Sequence, residues 1–74
     1  MHKTIILNNI EYVIMGTVEI DGSTYVLLTN INDERDFCFR KIIIKNNKAF
    51  YSNLDSREEF EKVLVKFTEK MLED

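Results

Sequence analysis

The stretch that decides the fold is Ser56-Arg57-Glu58-Glu59-Phe60-Glu61-Lys62-Val63-Leu64. Ser56 is a favourable helix N-cap, and Glu59 stands three positions later, where its carboxylate can accept a hydrogen bond from the backbone N–H of the cap. Asp55 and Glu58 offer the same arrangement one residue earlier. The apolar residues that follow recur at the spacing of one helical stripe: Phe60, Val63, Leu64, Phe67 and Met71. The stretch therefore predicts an amphipathic helix that buries this stripe against the rest of the chain.

Short strands separated by two-residue turns precede the helix. The turn signals are Asn8-Asn9, Asp21-Gly22 and Asn46-Asn47. These residue types tolerate the positive φ angles that tight hairpin turns require. The predicted strands are Lys3–Leu7, Ile10–Ile20, Ser23–Asn30, Phe37–Lys45 and Lys48–Asn53, and residues 30–36 are predicted to form a polar loop. Strands first and one helix last predict an α+β class, an antiparallel meander sheet of four to five strands with one C-terminal helix packed on one face.

The length and composition predict one small globular domain, residues 1–74. A chain of 74 residues has room for one modest core, because it buries only about 60% of its unfolded surface. Its 45% apolar and 31% charged residues are ordinary for a folded protein. The net charge of −3 and the scattered basic residues disfavour nucleic acid as a partner. The aromatic residues of the later strands are therefore interpreted as core rather than as a base-stacking platform.

The cellular location is predicted from three features: the cysteine count, the start of the sequence and the length of its apolar runs. It has a single cysteine, no signal peptide at its start and no apolar run long enough to span a bilayer. We therefore expect a cytoplasmic protein without a membrane partner. Plentiful Ile, Lys and Asn with no Pro is typical of AT-rich bacterial genomes.

The loop between the third and fourth strands has an incomplete resemblance to a calcium site. Its alternating oxygen-bearing residues are Asn30, Asn32, Glu34 and Asp36. A calcium loop needs a sharp glycine turn and a bidentate glutamate, where this chain has Arg35 and Lys41. We expect a solvated hairpin loop and no metal site.

Cys38 is a candidate nucleophile. Arg40 follows two positions later on the same strand face, where its charge would lower the thiol pKa. A working cysteine usually needs a base, and the single histidine is His2 at the chain terminus. We expect a buried, unreactive Cys38, with no catalytic residues and no cofactor.

The turn geometry predicts which residues share a face of the sheet. The tight Asp21-Gly22 turn predicts the pairs Val18 with Tyr25, Gly16 with Leu27 and Met15 with Leu28, and the Asn46-Asn47 turn predicts Ile43 with Phe50 and Ile42 with Tyr51. The helix then covers one face, formed by Ile5, Leu7, Ile10, Tyr12, Ile14, Val18, Ile20, Tyr25 and Leu27. The opposite face holds Ile6, Val13, Met15, Val26 and Leu28, with either Ile42, Ile44 and Tyr51 or Phe37, Phe39, Ile43 and Phe50. Gly16 adds a signal for a bend, a bulge or a bulky neighbour close to the backbone.

This count of faces predicts self-association. One helix cannot cover both faces, and large exposed apolar patches are unusual on monomers. We expect a homodimer whose possible interface includes Val13, Met15, Val26 and Leu28. A protein partner or a register slip in the strands would also answer the count.

The chain also resembles a known family. Its Ile20-Asp21-Gly22, its Tyr25-Val26-Leu27-Leu28 and its ending from Ser56 to Leu64 with Phe67 are similar to the small YrzB-type bacterial proteins grouped as DUF1292, a domain of unknown function. The resemblance covers roughly Glu11 to Met71 and rests on strand, turn and helix patterns. This chain has Arg40-Lys41-Ile42-Ile43-Ile44 where that family is usually strongly acidic. The resemblance implies no assigned activity and no catalytic residues to transfer.

These observations favour a small binding or interaction module that uses a face or an edge of its sheet. The alternative is a small enzyme or small-ligand binder whose site forms only in an oligomer, using Cys38, Arg40 or the loop carboxylates. A closed pocket with convergent polar groups would favour the alternative, and a flat apolar surface would favour the binding module.

Overall fold

The computed structural model describes residues 3–72 as five antiparallel strands in one curled sheet, followed by one helix. The strands are β1 (Thr4–Leu7), β2 (Ile10–Ile20), β3 (Ser23–Asn30), β4 (Asp33–Lys45) and β5 (Lys48–Ser52), and the helix is α1 (Arg57–Leu72). Neighbouring strands in the chain are neighbours in the sheet, in the order β1-β2-β3-β4-β5. The predicted α+β meander with a C-terminal helix is confirmed.

The two-residue turns follow directly from their residue types. Asn8-Asn9, Asp21-Gly22 and Asn46-Asn47 each have positive φ at both positions, between 50° and 82°. This is the backbone conformation of a type I′ turn, whose twist matches that of the strands it joins. The pairs predicted next to these turns are confirmed, including Val18 with Tyr25 and Ile43 with Phe50.

The segment from Asn30 to Asp36 differs from its prediction. The turn is only Ile31-Asn32, and residues 33–36 already belong to β4. Asn30 pairs with Asp33 but Thr29 pairs with Phe37, so β4 carries three unmatched residues at this point. The Oδ1 atom of Asn30 accepts a hydrogen bond from the Asn32 backbone N–H at 2.9 Å. The polar residues indicated exposure to solvent. The end of a strand that projects from the sheet is as exposed as a loop, so the residue types do not distinguish the two.

A β-bulge at Met15 changes the register of β2. Gly16 pairs with Leu27 as predicted, but the next pair is Ile14 with Leu28, so the predicted pairing of Met15 with Leu28 is wrong. One extra residue in a strand moves every side chain beyond it to the other face. A bulge was one of the predicted meanings of Gly16, and a register slip was one of the alternatives to a dimer; the observed register shift lies next to Gly16. The side chains in the first half of β2 therefore lie on the face opposite to the one that the turn geometry predicted.

The bulge redistributes the apolar residues between the faces. The helix-covered face takes Val18, Ile20, Tyr25, Leu27, Phe37, Phe39, Ile43 and Phe50, as the register shows. The opposite face takes Ile5, Tyr12, Ile14, Val26, Leu28, Ile42 and Tyr51. The predicted helix-side placement of Ile5, Leu7, Ile10, Tyr12 and Ile14 is wrong, because it assumed an unbroken period of two through Met15.

The main core lies between α1 and the sheet. It consists of Val18, Tyr25, Phe39, Val63 and Phe67, each no more than 8% exposed. The Phe39 and Phe67 rings stack, with centroids 5.3 Å apart and planes 17° apart. Only part of the predicted helical stripe is buried, since Phe60 is 43% and Leu64 42% exposed. The stripe is wider than the strip of sheet beneath it.

A smaller core lies on the face opposite the helix. Val26 and Leu28 have no exposed surface, although neither belongs to the cluster that includes the helix residues. In the register, half-buried side chains flank them on this face, with Tyr12 and Ile14 on β2 and Cys38, Arg40 and Ile42 on β4. Because no helix covers this face, the full burial of Val26 and Leu28 indicates that the curl of the sheet folds the flanking side chains over them. The ring of Tyr12 and the aliphatic stem of Arg40 are suited to covering a core, because each covers apolar surface while keeping its polar end in water.

Across residues 3–72, no helix has the length and apolar character needed to cross a membrane.

Phe67 and Phe60 should contribute unequally to stability. Phe67→Ala removes a ring that is 4% exposed and stacked on Phe39, and should cost about 3–5 kcal/mol. Phe60→Ala removes a ring that is 43% exposed and should cost about 1–2 kcal/mol. Urea unfolding followed by circular dichroism measures both free energies of unfolding. Equal losses for the two variants would contradict the placement of the helix on the sheet.

Candidate functional site

One carboxylate, that of Glu59, connects the start of α1 to the sheet. Its Oε2 atom accepts a hydrogen bond from the Tyr25 hydroxyl at 2.5 Å and lies 2.8 Å from the Lys41 ammonium. Its Oε1 atom accepts a hydrogen bond from the Asp55 backbone N–H at 2.6 Å. Tyr25 comes from β3 and Lys41 from β4, whose pairing places the two residues side by side. The network therefore joins two strands, the segment before the helix and the helix itself.

The helix cap is close to its prediction and differs in one bond. Ser56 is the N-cap, because its Oγ atom accepts a hydrogen bond from the Glu59 backbone N–H at 3.1 Å. The prediction that the Glu59 carboxylate accepts from the Ser56 N–H is wrong. The carboxylate accepts from the Asp55 N–H instead, because its other oxygen is held by Tyr25 and Lys41.

The network keeps each of its groups in one protonation state at neutral pH. Hydrogen bonds from Lys41 and Tyr25, and from the Asp55 backbone, lower the pKa of Glu59 from 4.5 to about 2. The same bond to Glu59 raises the pKa of Lys41, and burial together with Glu59 raises the pKa of Tyr25. Proton transfer near neutral pH is fastest for groups whose pKa lies near 7. The network is therefore suited to holding the helix on the sheet rather than to acid–base catalysis.

Cys38 and Arg40 share the face opposite the helix, as their spacing predicted. The Cys38 thiol is half-buried, and its burial raises the pKa more than the nearby Arg40 charge lowers it. His2, the base that the sequence analysis considered, lies outside the described residues. The thiol is therefore less ionised at neutral pH than that of a free cysteine.

The described carboxylates and thiol are not gathered into a metal site. Within residues 3–72, no group of three or more His, Cys, Asp or Glu side chains is arranged to hold a metal ion. The loop residues of the incomplete calcium pattern bond to one another instead. The Asn30 amide donates to the Asp36 carboxylate at 3.1 Å, and the Arg35 backbone N–H donates to the Asp33 carboxylate at 3.0 Å.

The predicted interface residues do not form one surface. Val26 and Leu28 are fully buried on the face opposite the helix. Val13 and Met15 lie toward the helix side, where Met15 lines a hollow with Phe67 and Met71. The bulge separates the two pairs, and of the four residues only Met15 is largely exposed, at 56%.

A different apolar surface is exposed along one side of α1. We call it the helix–sheet surface, and its members are Met15, Phe37, Phe60, Leu64 and Met71, which are 42–62% exposed. It is continuous through two buried rings. Phe39 contacts both Phe37 and Phe60, at centroid distances of 6.3 and 5.5 Å. Phe67, stacked on Phe39, joins Met15 and Met71 around a hollow of about 270 Å³.

The other side of α1 is polar. The residues around the hollow on that side are mostly charged: Glu19, Asp21, Glu58, Glu61, Lys62, Lys66 and Glu69. The helix therefore has an apolar flank that faces the β3–β4 end of the sheet and a charged flank that faces the Asp21-Gly22 turn. The sequence predicted the apolar stripe but not that α1 has one exposed apolar flank and one charged flank. Packing against the sheet could have buried residues on either side of the helix.

Comparison with known proteins agrees with this architecture and adds a family. A family model described as "Protein of unknown function (DUF1292)" matches residues 8–73. A UPF0473 protein from Heliobacterium modesticaldum is 32% identical over 69 residues, which cover 90% of this chain and 78% of that protein. No solved structure matches the chain.

The Glu59 network should make stability depend on pH in a specific direction. Because folding lowers the pKa of Glu59 from 4.5 to about 2, its contribution is complete above about pH 5 and is lost as the pH falls toward 2. Glu59→Gln should therefore be less stable than the parent at pH 7, and the difference should shrink between pH 5 and pH 2. Glu61→Gln, at an exposed pair with Arg57, is the matched control and should change stability little at any pH. A Glu59→Gln deficit that persists undiminished at pH 2 would exclude the ionised network as its source.

Cys38 should react slowly with thiol reagents in the folded protein. The raised pKa leaves less thiolate at neutral pH than a free cysteine has, and the half-buried position limits access. Labelling with a chromogenic disulfide should accelerate on unfolding in urea. Lys66→Cys in a Cys38→Ser background supplies an exposed thiol for comparison and should label quickly in the folded state. Native Cys38 labelling as fast as this control would show an activated thiol.

Proposed function

The chain belongs to the DUF1292 family, and on that premise we propose that it is a small cytoplasmic binding protein that pairs with a second copy of itself through the helix–sheet surface. The observation that carries the proposal is the continuity of that surface. Five large apolar side chains, each 42–62% exposed, surround the buried rings of Phe39 and Phe67. Contiguous apolar patches of this kind typically mark protein contacts.

The area of the surface suits a reversible dimer. Large side chains have on the order of 200 Å² each, so five that are half exposed offer roughly 500 Å² per chain. Two copies would bury about 1,000 Å², the lower limit for a specific interface. We therefore expect an association in the micromolar range that responds to protein concentration.

Its composition suits a second copy better than a charged partner. A two-fold interface places each patch against the same patch, so any net charge on it would repel its own image. The five members of the helix–sheet surface carry no ionisable group, whereas the chain as a whole carries a net charge of −3. Lys70 lines the same hollow, and its ammonium donates to the Thr17 carbonyl oxygen. Phe60 and Leu64 stand one turn apart on α1, which is the ridge spacing by which two helices pack.

The cytoplasmic part of the proposal is supported by the cysteine. Cys38 is a free thiol in the folded chain. Proteins of oxidising compartments more often have their cysteines paired in disulfides.

The dimer can be tested with two adjacent helix positions. Leu64 lies on the apolar flank and Val65, which is 56% exposed, on the charged flank. Leu64→Glu should abolish self-association, because it places a charge from each copy inside an otherwise apolar interface. Val65→Glu is the matched control and should associate as the parent does. Sedimentation equilibrium at protein concentrations from about 5 to 500 µM measures the mass. This concentration range brackets the expected micromolar affinity.

Circular dichroism establishes that both variants remain folded. A parent protein that stays monomeric at the highest concentration would overturn the proposal. So would equal association of the two variants, because the dimer would then use another surface.

A further inference from the structure

The two methionines within residues 3–72 lie at one place in the fold. Met15 comes from β2 and Met71 from the last turn of α1, and both line the hollow beside Phe67. Met15 is 56% and Met71 62% exposed. Methionine is among the residue types that are most often buried. Filling the core does not explain two exposed methionines at the rim of one hollow.

The hollow is open partly because Gly16 places no side chain in it. A Cβ atom at Gly16 would lie 3.8 Å from Cε1 of Phe67 and 3.9 Å from Nζ of Lys70, so a larger residue would occupy space between β2 and the end of α1. A peroxide molecule is close to water in size. A hollow of about 270 Å³, bordered by two residues that are each more than half exposed, admits such a molecule from solvent.

The thioether of methionine reacts with peroxides by a two-electron step. The sulfur lone pair forms an S–O bond to one peroxide oxygen, and the O–O bond breaks. The second oxygen leaves with the proton of the transferred oxygen, as water when the oxidant is hydrogen peroxide. Sulfur is oxidised to the sulfoxide and the peroxide is reduced. The flexible apolar side chain thereby becomes a polar one, which disrupts apolar contacts.

We propose that Met15 and Met71 form a peroxide-sensitive modification site, whose oxidation prevents two copies from pairing through the helix–sheet surface. This regulation rests on the proposed dimer. The two residues are two of the five exposed apolar members of that surface. In the monomer each sulfoxide oxygen is hydrated, whereas pairing would place it against apolar side chains, where an unpaired polar group is costly.

The modification and the pairing oppose each other. Peroxide reaches the two methionines in the monomer, and pairing covers them. Oxidation should therefore slow as the protein concentration rises above the Kd of the dimer. The change is reversible, because methionine sulfoxide reductases restore the thioether.

The test measures association before and after treatment with hydrogen peroxide. A Cys38→Ser background removes the thiol, which lies half-buried on the other face of the sheet and would also react. Mass spectrometry of peptides locates the added oxygen, and sedimentation equilibrium measures the mass. Oxidation of both Met15 and Met71 should raise the Kd of the dimer at least about tenfold, and the two stereospecific reductases should restore it.

Matched variants assign the effect to these two sulfur atoms. Met15→Leu combined with Met71→Leu keeps the apolar volume and should associate equally before and after peroxide. Adding Val65→Met to that variant places an oxidisable methionine on the charged flank of α1. Its oxidation should leave association unchanged. Circular dichroism follows the fold of each oxidised protein.

The outcomes separate this regulation from the dimer itself. A protein that is monomeric before peroxide treatment would overturn both. A dimer that persists with both methionines oxidised would overturn the regulation alone, as would dissociation of the variant that has its methionine only at position 65. Unfolding of the oxidised chain would also overturn it, because the sulfoxides would then act on the core rather than on the surface.

Discussion

The bulge at Met15 is the constraint on which the rest of the structure depends. A strand alternates its side chains between faces, so one unmatched residue reverses the assignment of everything before it. Without the bulge, Ile14 and Tyr12 would join the helix face, and Val26 and Leu28 would lose their apolar neighbours on β2. With it, both faces of the sheet obtain enough apolar side chains for a core. The curl of the sheet then closes the second core without a second helix.

The helix is held at both of its ends, and the two attachments differ. At its start the Glu59 carboxylate reaches Tyr25 and Lys41 on two adjacent strands. Near its end the Lys70 ammonium donates to the Thr17 carbonyl oxygen at 2.7 Å. Thr17 lies on β2 beyond the four residues that pair with β1, where the strand edge is open among the described residues. Lys70 thus also protects a free edge, since a lysine at such a position hinders pairing with another strand.

The proposed contact between two copies follows from what this small fold leaves uncovered. One helix covers the middle of the sheet, which leaves the helix–sheet surface exposed beside it. The opposite face is covered by amphipathic side chains of the sheet itself, so it needs no second helix.

Much of this fold could be predicted from the sequence, because it depends on the local chemistry of neighbouring residues. The turns were predictable because Asn, Asp and Gly accept positive φ, and the cap because Ser56 can satisfy a backbone donor three residues later. The strand pairs beside each turn followed, since a two-residue turn sets its register. The tertiary structure alone decided that a bulge forms at Met15, which part of the helical stripe is buried, and the partners of Glu59. Each of these depends on residues far apart in the chain, and a shift of one residue, which barely changes the sequence pattern, changes which of them meet.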